Sequence, residues 1–217
     1  MGKMGLGCVA VVVILAVIVG ISMAGTYNKL VTLREDTNSK WAQVENQYQR
    51  RADLVPNLVA TVKGAAEFEK ETLEAVTQAR ASVGRAQITP GQAPTDPAAL
   101  AQFEQAQNSL GAALQRLLVV VERYPELKAN ANFRDLQAQL EGTENRIAVE
   151  RMRYNESAQA FNTTLKRFPT NLMAGMLGFK EVAYFKATTP GAAEAPNVQF
   201  DFKEPAPGGA PAPVTTP

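Results

Sequence analysis

The side chains best suited to chemistry in this chain are charged groups set among apolar ones. They fall in two clusters: Arg50, Arg51 and Asp53, with Asn57 just after, and Glu141, Glu144, Asn145 and Arg146, followed by Arg151 and Arg153. Helical neighbours lie three or four residues apart, so Arg50 with Asp53 and Glu141 with Asn145 are spaced to pair locally. Glu144 and Arg151 fall at or beside an apolar stripe between Leu140, Ile147 and Tyr154. Paired carboxylates can do acid–base work. Arginines beside them favour the ionised form, which suits salt bridging better. An interior ion pair is weak evidence for stability but can set helix register. Three readings follow: a structural network, a partner-binding surface and a catalytic pair. The first is adopted, the second kept. The residues carried forward are Arg50, Arg51, Asp53, Glu144, Asn145 and Arg146.

Composition narrows the chemistry further. Lys and Arg number 22 and Asp and Glu 21, so the basic excess that phosphate binding needs is missing. Nucleic acid is not an expected partner. There is no histidine, the commonest general base and metal ligand. The single cysteine, Cys8, rules out a disulfide framework within one chain. No nucleotide loop, nucleophile motif or metal-ligand spacing is present, and no cofactor or metal is expected. Glu67, Glu69, Glu71 and Glu74 with Lys63 and Lys70 read as a solvated helix face. Trp41 and Tyr48, seven apart, read as core.

Those side chains need helices to position them, and the chain begins with a helix of another kind. Leu6 to Ala24 (LGCVAVVVILAVIVGISMA) carries no charge. Its 19 residues make a helix about 28 Å long, against a bilayer core of about 30 Å. Tyr27 and Lys29 follow, suited to a membrane interface. The expectation is a retained transmembrane anchor over residues 1–25. The rival is a cleaved signal peptide, since Ser22-Met23-Ala24 loosely fits a small-x-small site. Lys29, Arg34 and Lys40 outnumber Lys3 across the span, which leans the remainder of the chain towards the cytoplasm.

Beyond the anchor, apolar residues recur at helical spacing. Trp41, Val44, Tyr48, Ala52, Val55, Val59, Val62 and Ala66 form one stripe, interrupted by Pro56. Proline removes a helical hydrogen bond, so the chain must kink or turn there. Ile88–Thr95 (ITPGQAPT) reads as a linker, and Asp96-Pro97 as a helix start. Leu100 to Val121 and Phe133 to Leu165 carry the next stripes, the latter capped by Asn132. A turn near Pro56 gives segments Tyr27–Asp53, Asn57–Ala86, Asp96–Arg123 and Asn132–Arg167, of 27, 30, 28 and 36 residues. Similar lengths on short connections predict an all-α fold: an N-terminal transmembrane helix, then an antiparallel up-and-down four-helix bundle over residues 26–187. Asn171–Phe179 (NLMAGMLGF) would close the membrane end of the bundle, or rest in the membrane interface or a partner's groove. Residues 188–217, rich in Ala and Pro, read as a disordered tail.

Several stretches also resemble a known family. Tyr27–Val31 (YNKLV), Trp41–Glu45 (WAQVE), Gln49–Val59 (QRRADLVPNLV), Glu69–Leu73 (EKETL) and Val76–Arg80 (VTQAR) are similar to the LemA family. So are Glu122–Asn130 (ERYPELKAN), Glu141–Ile147 (EGTENRI), Arg153–Asn155 (RYN) and Phe168-Pro169. The resemblance runs from about Tyr27 to Phe185; the Ala/Pro tail departs from it. It implies a bacterial single-pass membrane protein with a helical domain, and no particular reaction. Some members of the family are associated with magnetosome membranes.

The expected function is therefore non-enzymatic: a scaffold or adaptor organising membrane-associated proteins at a bacterial membrane, with self-association open. The alternative is an anchored sensor or receptor that binds a ligand.

Overall fold

The computed structural model describes residues 2–64, 69–85 and 88–186, with side chains from residue 11 onward. The described residues are helical, without strands: α1 (Gly2–Lys63), α2 (Lys70–Val83), α3 (Pro97–Val121), α4 (Pro125–Ala129), α5 (Ala131–Lys166) and α6 (Thr170–Ala174). The all-α expectation holds, with an apolar helix at the N-terminus. The expected tail, residues 188–217, lies outside the described residues, as do Ala66 and Ala86.

α1 changes character along its length. From Val11 to Ile21 the large side chains are all more than half exposed. From Leu30 onward one face is buried: Leu30, Trp41, Val44, Tyr48, Val55, Leu58 and Val62. These positions follow the three- and four-residue spacing of a single stripe. α1 is long and apolar enough to cross a membrane.

The expected turn near Pro56 does not occur. α1 continues through Pro56 for 62 residues in all. The missing N–H of Pro56 leaves the carbonyl of Ala52 without its helical donor. That carbonyl instead accepts from Nε of Arg80 on α2, at 3.0 Å. Pro56 itself is exposed, so its ring meets water and not a neighbouring helix. The chain leaves α1 only after Lys63, and the second helix is correspondingly short, 14 residues where about 30 were expected. Among the described residues, the four similar segments expected from the sequence are thus three long helices, α1, α3 and α5, and a short α2, with the five-residue α4 and α6 besides.

A packed non-helical segment extends the path of α2. Gly91 N–H donates to the Glu45 carboxylate at 2.9 Å and Ala93 N–H to Asn38 Oδ1 at 3.1 Å. Gly91 has φ +71°, a conformation that favours glycine. This run carries the chain back along α1 to the start of α3. There Asp96 accepts from Ala98 N–H at 2.9 Å and Pro97 takes the first turn, as the sequence suggested. α5 is capped by Asn130, not Asn132: Asn130 Oδ1 accepts from Phe133 N–H at 3.3 Å.

α5 runs antiparallel to α1 along nearly the whole packed length. Thr37 meets Ser157 and Arg51 meets Glu144, so moving back along α1 means moving forward along α5. Two apolar clusters result. One, nearer the exposed apolar run, gathers Leu30, Trp41, Phe103, Tyr154, Phe161 and Phe185. The other gathers Val55, Val62, Val76, Leu114, Leu117 and Phe133.

If Arg80 replaces the donor that Pro56 lacks, the two residues are energetically coupled. Pro56→Ala should stabilise the domain, by up to about 3 kcal/mol for an interior proline. Arg80→Gln should cost about 1 kcal/mol in the native background. In the Pro56→Ala background the cost should fall towards zero, because the backbone N–H restored by the substitution then reaches the Ala52 carbonyl. Urea unfolding of the four proteins measures the cycle; a Pro56→Ala protein less stable than the parent would mean that the chain uses the proline to turn.

Candidate functional site

The two apolar clusters are separated by polar groups that the helices carry inward. Arg51 is 4% exposed, which is rare for an arginine unless paired. Its Nη1 donates to Glu144 Oε1 at 2.7 Å. Its Nη2 donates to the Gln107 backbone carbonyl at 2.9 Å and also to the Gln107 side-chain oxygen. The guanidinium lies over the Tyr48 ring, 5.1 Å from its centroid. One buried cation thus joins α1, α3 and α5.

A second pair lies beside it. Arg151 on α5 donates to Glu104 on α3 at 2.6 Å, with both side chains under 20% exposed. Its guanidinium sits 4.4 Å from the Phe185 ring centroid. Tyr48 lies near both pairs, and burial pushes its hydroxyl above the ordinary tyrosine range. The positive charges of Arg151 and Arg51 oppose that shift without cancelling it. Tyr48 therefore stays neutral at ordinary pH, as does Tyr154, which burial also pushes up.

Of the six residues singled out in the sequence, the structure brings two together, Arg51 and Glu144. Arg50, Asp53, Asn145 and Arg146 are exposed. Asp53 accepts from Gln49, at 2.8 Å, and not from Arg50. Glu141 accepts from Gln137, at 3.0 Å, and not from Asn145. Sequence reasoning missed Gln107 and Glu104. The signal for Gln107 was available: it occupies a stripe position between Phe103 and Leu110 and is 2% exposed.

It also missed how the end of the described chain is held. Residues 180–185 are non-helical, and Val182, Ala183 and Phe185 lie on α5. Asn162 donates to the Val182 carbonyl at 2.8 Å and accepts from Val182 N–H at 3.0 Å. Asn155, two helical turns earlier, makes the same pair with Phe185, both at 3.0 Å. Each side-chain amide stands in for the backbone of a neighbouring strand. Tyr154 donates to the Ala183 carbonyl at 2.8 Å, and Phe185 stacks on Trp41 with centroids 5.7 Å apart. The sequence signal was two asparagines seven apart on the face of α5 that carries Tyr154, Ala158 and Phe161.

The LemA family signature matches residues 40–200. The chain belongs to the LemA family. Magnetosome protein MamQ 2 of Paramagnetospirillum magneticum is 27% identical over 212 residues, covering 87% of this chain and 76% of the relative. Magnetosome protein MamQ of Magnetospirillum gryphiswaldense is 29% identical over 202 residues, covering 84% and 74%. Protein LemA of Metamycoplasma hominis is 24% identical over 164 residues, covering 76% and 70%. The family match takes in Arg51, Gln107, Glu144, Asn155 and Asn162.

The Arg51–Glu144 pair separates the structural reading from the docking one. Glu144→Gln leaves Arg51 with two neutral acceptors on Gln107. Loss of a charged hydrogen-bond partner should cost about 1–3 kcal/mol. That is less than for a fully buried pair, because the Glu144 side chain is 44% exposed. Arg146→Gln, on the exposed face, should stay within about 0.5 kcal/mol of the parent. Denaturant unfolding checks both; an unaltered Glu144→Gln midpoint would remove the structural reading.

Proposed function

We propose that this LemA-family protein is a non-enzymatic, single-pass membrane scaffold that holds a rigid helical domain close to a bacterial membrane and presents its surface to other membrane-associated proteins. The observation that carries this reading is the continuity of α1. One helix supplies both the exposed apolar run and the longest side of the packed domain. No break in the helix separates them, so the domain's position would be set by the anchor. The polar groups support the same reading: Arg51 is matched to the Glu144 carboxylate and the Gln107 amide, and Arg151 to the Glu104 carboxylate, at the helix interfaces. Such pairs hold three helices in register. The magnetosome relatives fit a role in organising a membrane compartment. The excess of Lys29, Arg34 and Lys40 over Lys3 favours a cytoplasmic domain.

A second reading, an anchored sensor, rests on a groove of about 450 Å³ between α3 and α5, lined by Gly111, Leu114, Leu118, Leu140, Glu141 and Glu144. A ligand there would touch the carboxylate that holds Arg51, and so the contact between α5 and α1.

One experiment separates the two. The full-length protein should stay with membranes after alkaline carbonate washing. In-cell crosslinking from its exposed helix faces should return a reproducible set of membrane proteins, lost when the chain begins at Gly25. A mature N-terminus at Gly25 in cells would remove the anchor. A stoichiometric small molecule co-purifying with the protein, and no reproducible partners, would favour the sensor.

A further inference from the structure

The end of the domain beside the apolar run carries the largest concentration of exposed apolar side chains outside that run. Phe168 is 79% exposed, Leu172 65% and Met176 85%, and Leu177 adds to them. Elsewhere among the described residues of the domain, the exposed large apolar side chains are fewer: Val119 alone on α3, and Val149 with Met152, three apart on α5. Single residues of that kind are ordinary; a group of them marks a contact surface.

The helix pairing fixes where this group sits. Thr37 lies against Ser157 and Arg51 against Glu144. Carrying that antiparallel register forward puts Phe168 level with Thr26 and Tyr27, just past Ala24, the last residue of the uncharged run. The ring of Phe179 packs against Tyr27, centroids 5.9 Å apart, which ties the segment after α6 to the same level of α1. α6 buries Thr170 and Ala174 against the domain and leaves Leu172 outward. Exposed cations flank the group: Lys29, Arg167 and Lys180. A level of apolar side chains bordered by cations matches the layer between lipid tails and headgroups.

Resting on the anchor reading above, we infer that Phe168, Leu172 and Met176 are a second membrane contact, inserted into the interfacial layer of the leaflet from which α1 emerges. The occupant of this surface is a phospholipid bilayer. Three side chains would bind a membrane weakly as a free peptide. Here α1 already confines them to the bilayer surface, so the contact is intramolecular and a small apolar area suffices. The domain would then rest on the membrane at a fixed tilt and not pivot about its anchor.

The test uses the full-length chain, with Cys8→Ser, in phospholipid nanodiscs holding one copy each. Spin labels are placed singly at Leu172→Cys, at Ile14→Cys in the apolar run and at Val119→Cys on the far part of the domain. Accessibility is measured to oxygen, which partitions into lipid, and to an aqueous nickel chelate. The Leu172 label should be protected from nickel several-fold relative to Val119 and should approach the Ile14 label in oxygen accessibility. Adding Phe168→Ser and Met176→Ser, both at exposed positions, should release it to water without moving the unfolding midpoint. A Leu172 label as open to nickel as Val119, with Ile14 in lipid, would overturn the inference and leave the anchor standing. Both labels open to nickel would overturn anchor and contact together. Protection that survives the two serine substitutions would also overturn the inference, since the patch would not be its cause.

Discussion

The hydrogen bond that Pro56 cannot make governs this structure. A proline in a helix interior removes one donor and crowds the preceding turn, and the usual outcome is a kink or an end. Here the carbonyl of Ala52 finds its donor on a neighbouring helix, Nε of Arg80. Two things follow from one contact. α1 runs on to Lys63, and α2 is fastened to α1 at the level of the proline. The proline works as a docking point for the second helix and not as a hinge.

An unbroken α1 then sets the register of the rest. α5 lies antiparallel along it, and the non-helical run after α2 is pinned to it through Glu45 and Asn38. Between the two apolar clusters, Arg51 binds acceptors from α3 and α5, and within the span of the first cluster Arg151 binds Glu104 of α3, so sliding one helix by a turn would strand a buried charge. Apolar stripes alone tolerate such slippage; charged pairs do not. At the end nearest the apolar run, Asn155 and Asn162 hold Phe185 and Val182 by their backbones, and Phe185 fills the space beside Trp41. These contacts tie that end of the domain to the same helix that carries the apolar run.

Much of this was legible in the sequence. The uncharged run, the stripes of α1, α3 and α5 and the Asp96-Pro97 start all follow from spacing and local chemistry. The turn at Pro56 was misread because a local rule was applied where a distant residue supplies the remedy. Nothing within four residues of Pro56 announces Arg80, although the stripe keeps its three- and four-residue register on both sides of Pro56, which pointed to continuity. The cluster was half legible for a similar reason: charge spacing along one helix shows which residues could pair locally. Arg51 pairs instead with residues 56 and 93 positions away. The asparagine pair of α5 was hidden because amides at seven-residue spacing read equally well as polar interruptions of a stripe.

One rigid α1 carries the domain from the apolar run to its far end. Spin labels at Glu35 and Lys63, both exposed and on either side of Pro56, measure it most directly by pulsed electron–electron distance spectroscopy. A continuous helix places these positions about 42 Å apart at 1.5 Å per residue, with a narrow distribution. A chain that turned back at Pro56 would bring them to roughly 23 Å, from the same rise per residue and the usual spacing of packed helices, and that result would contradict the account.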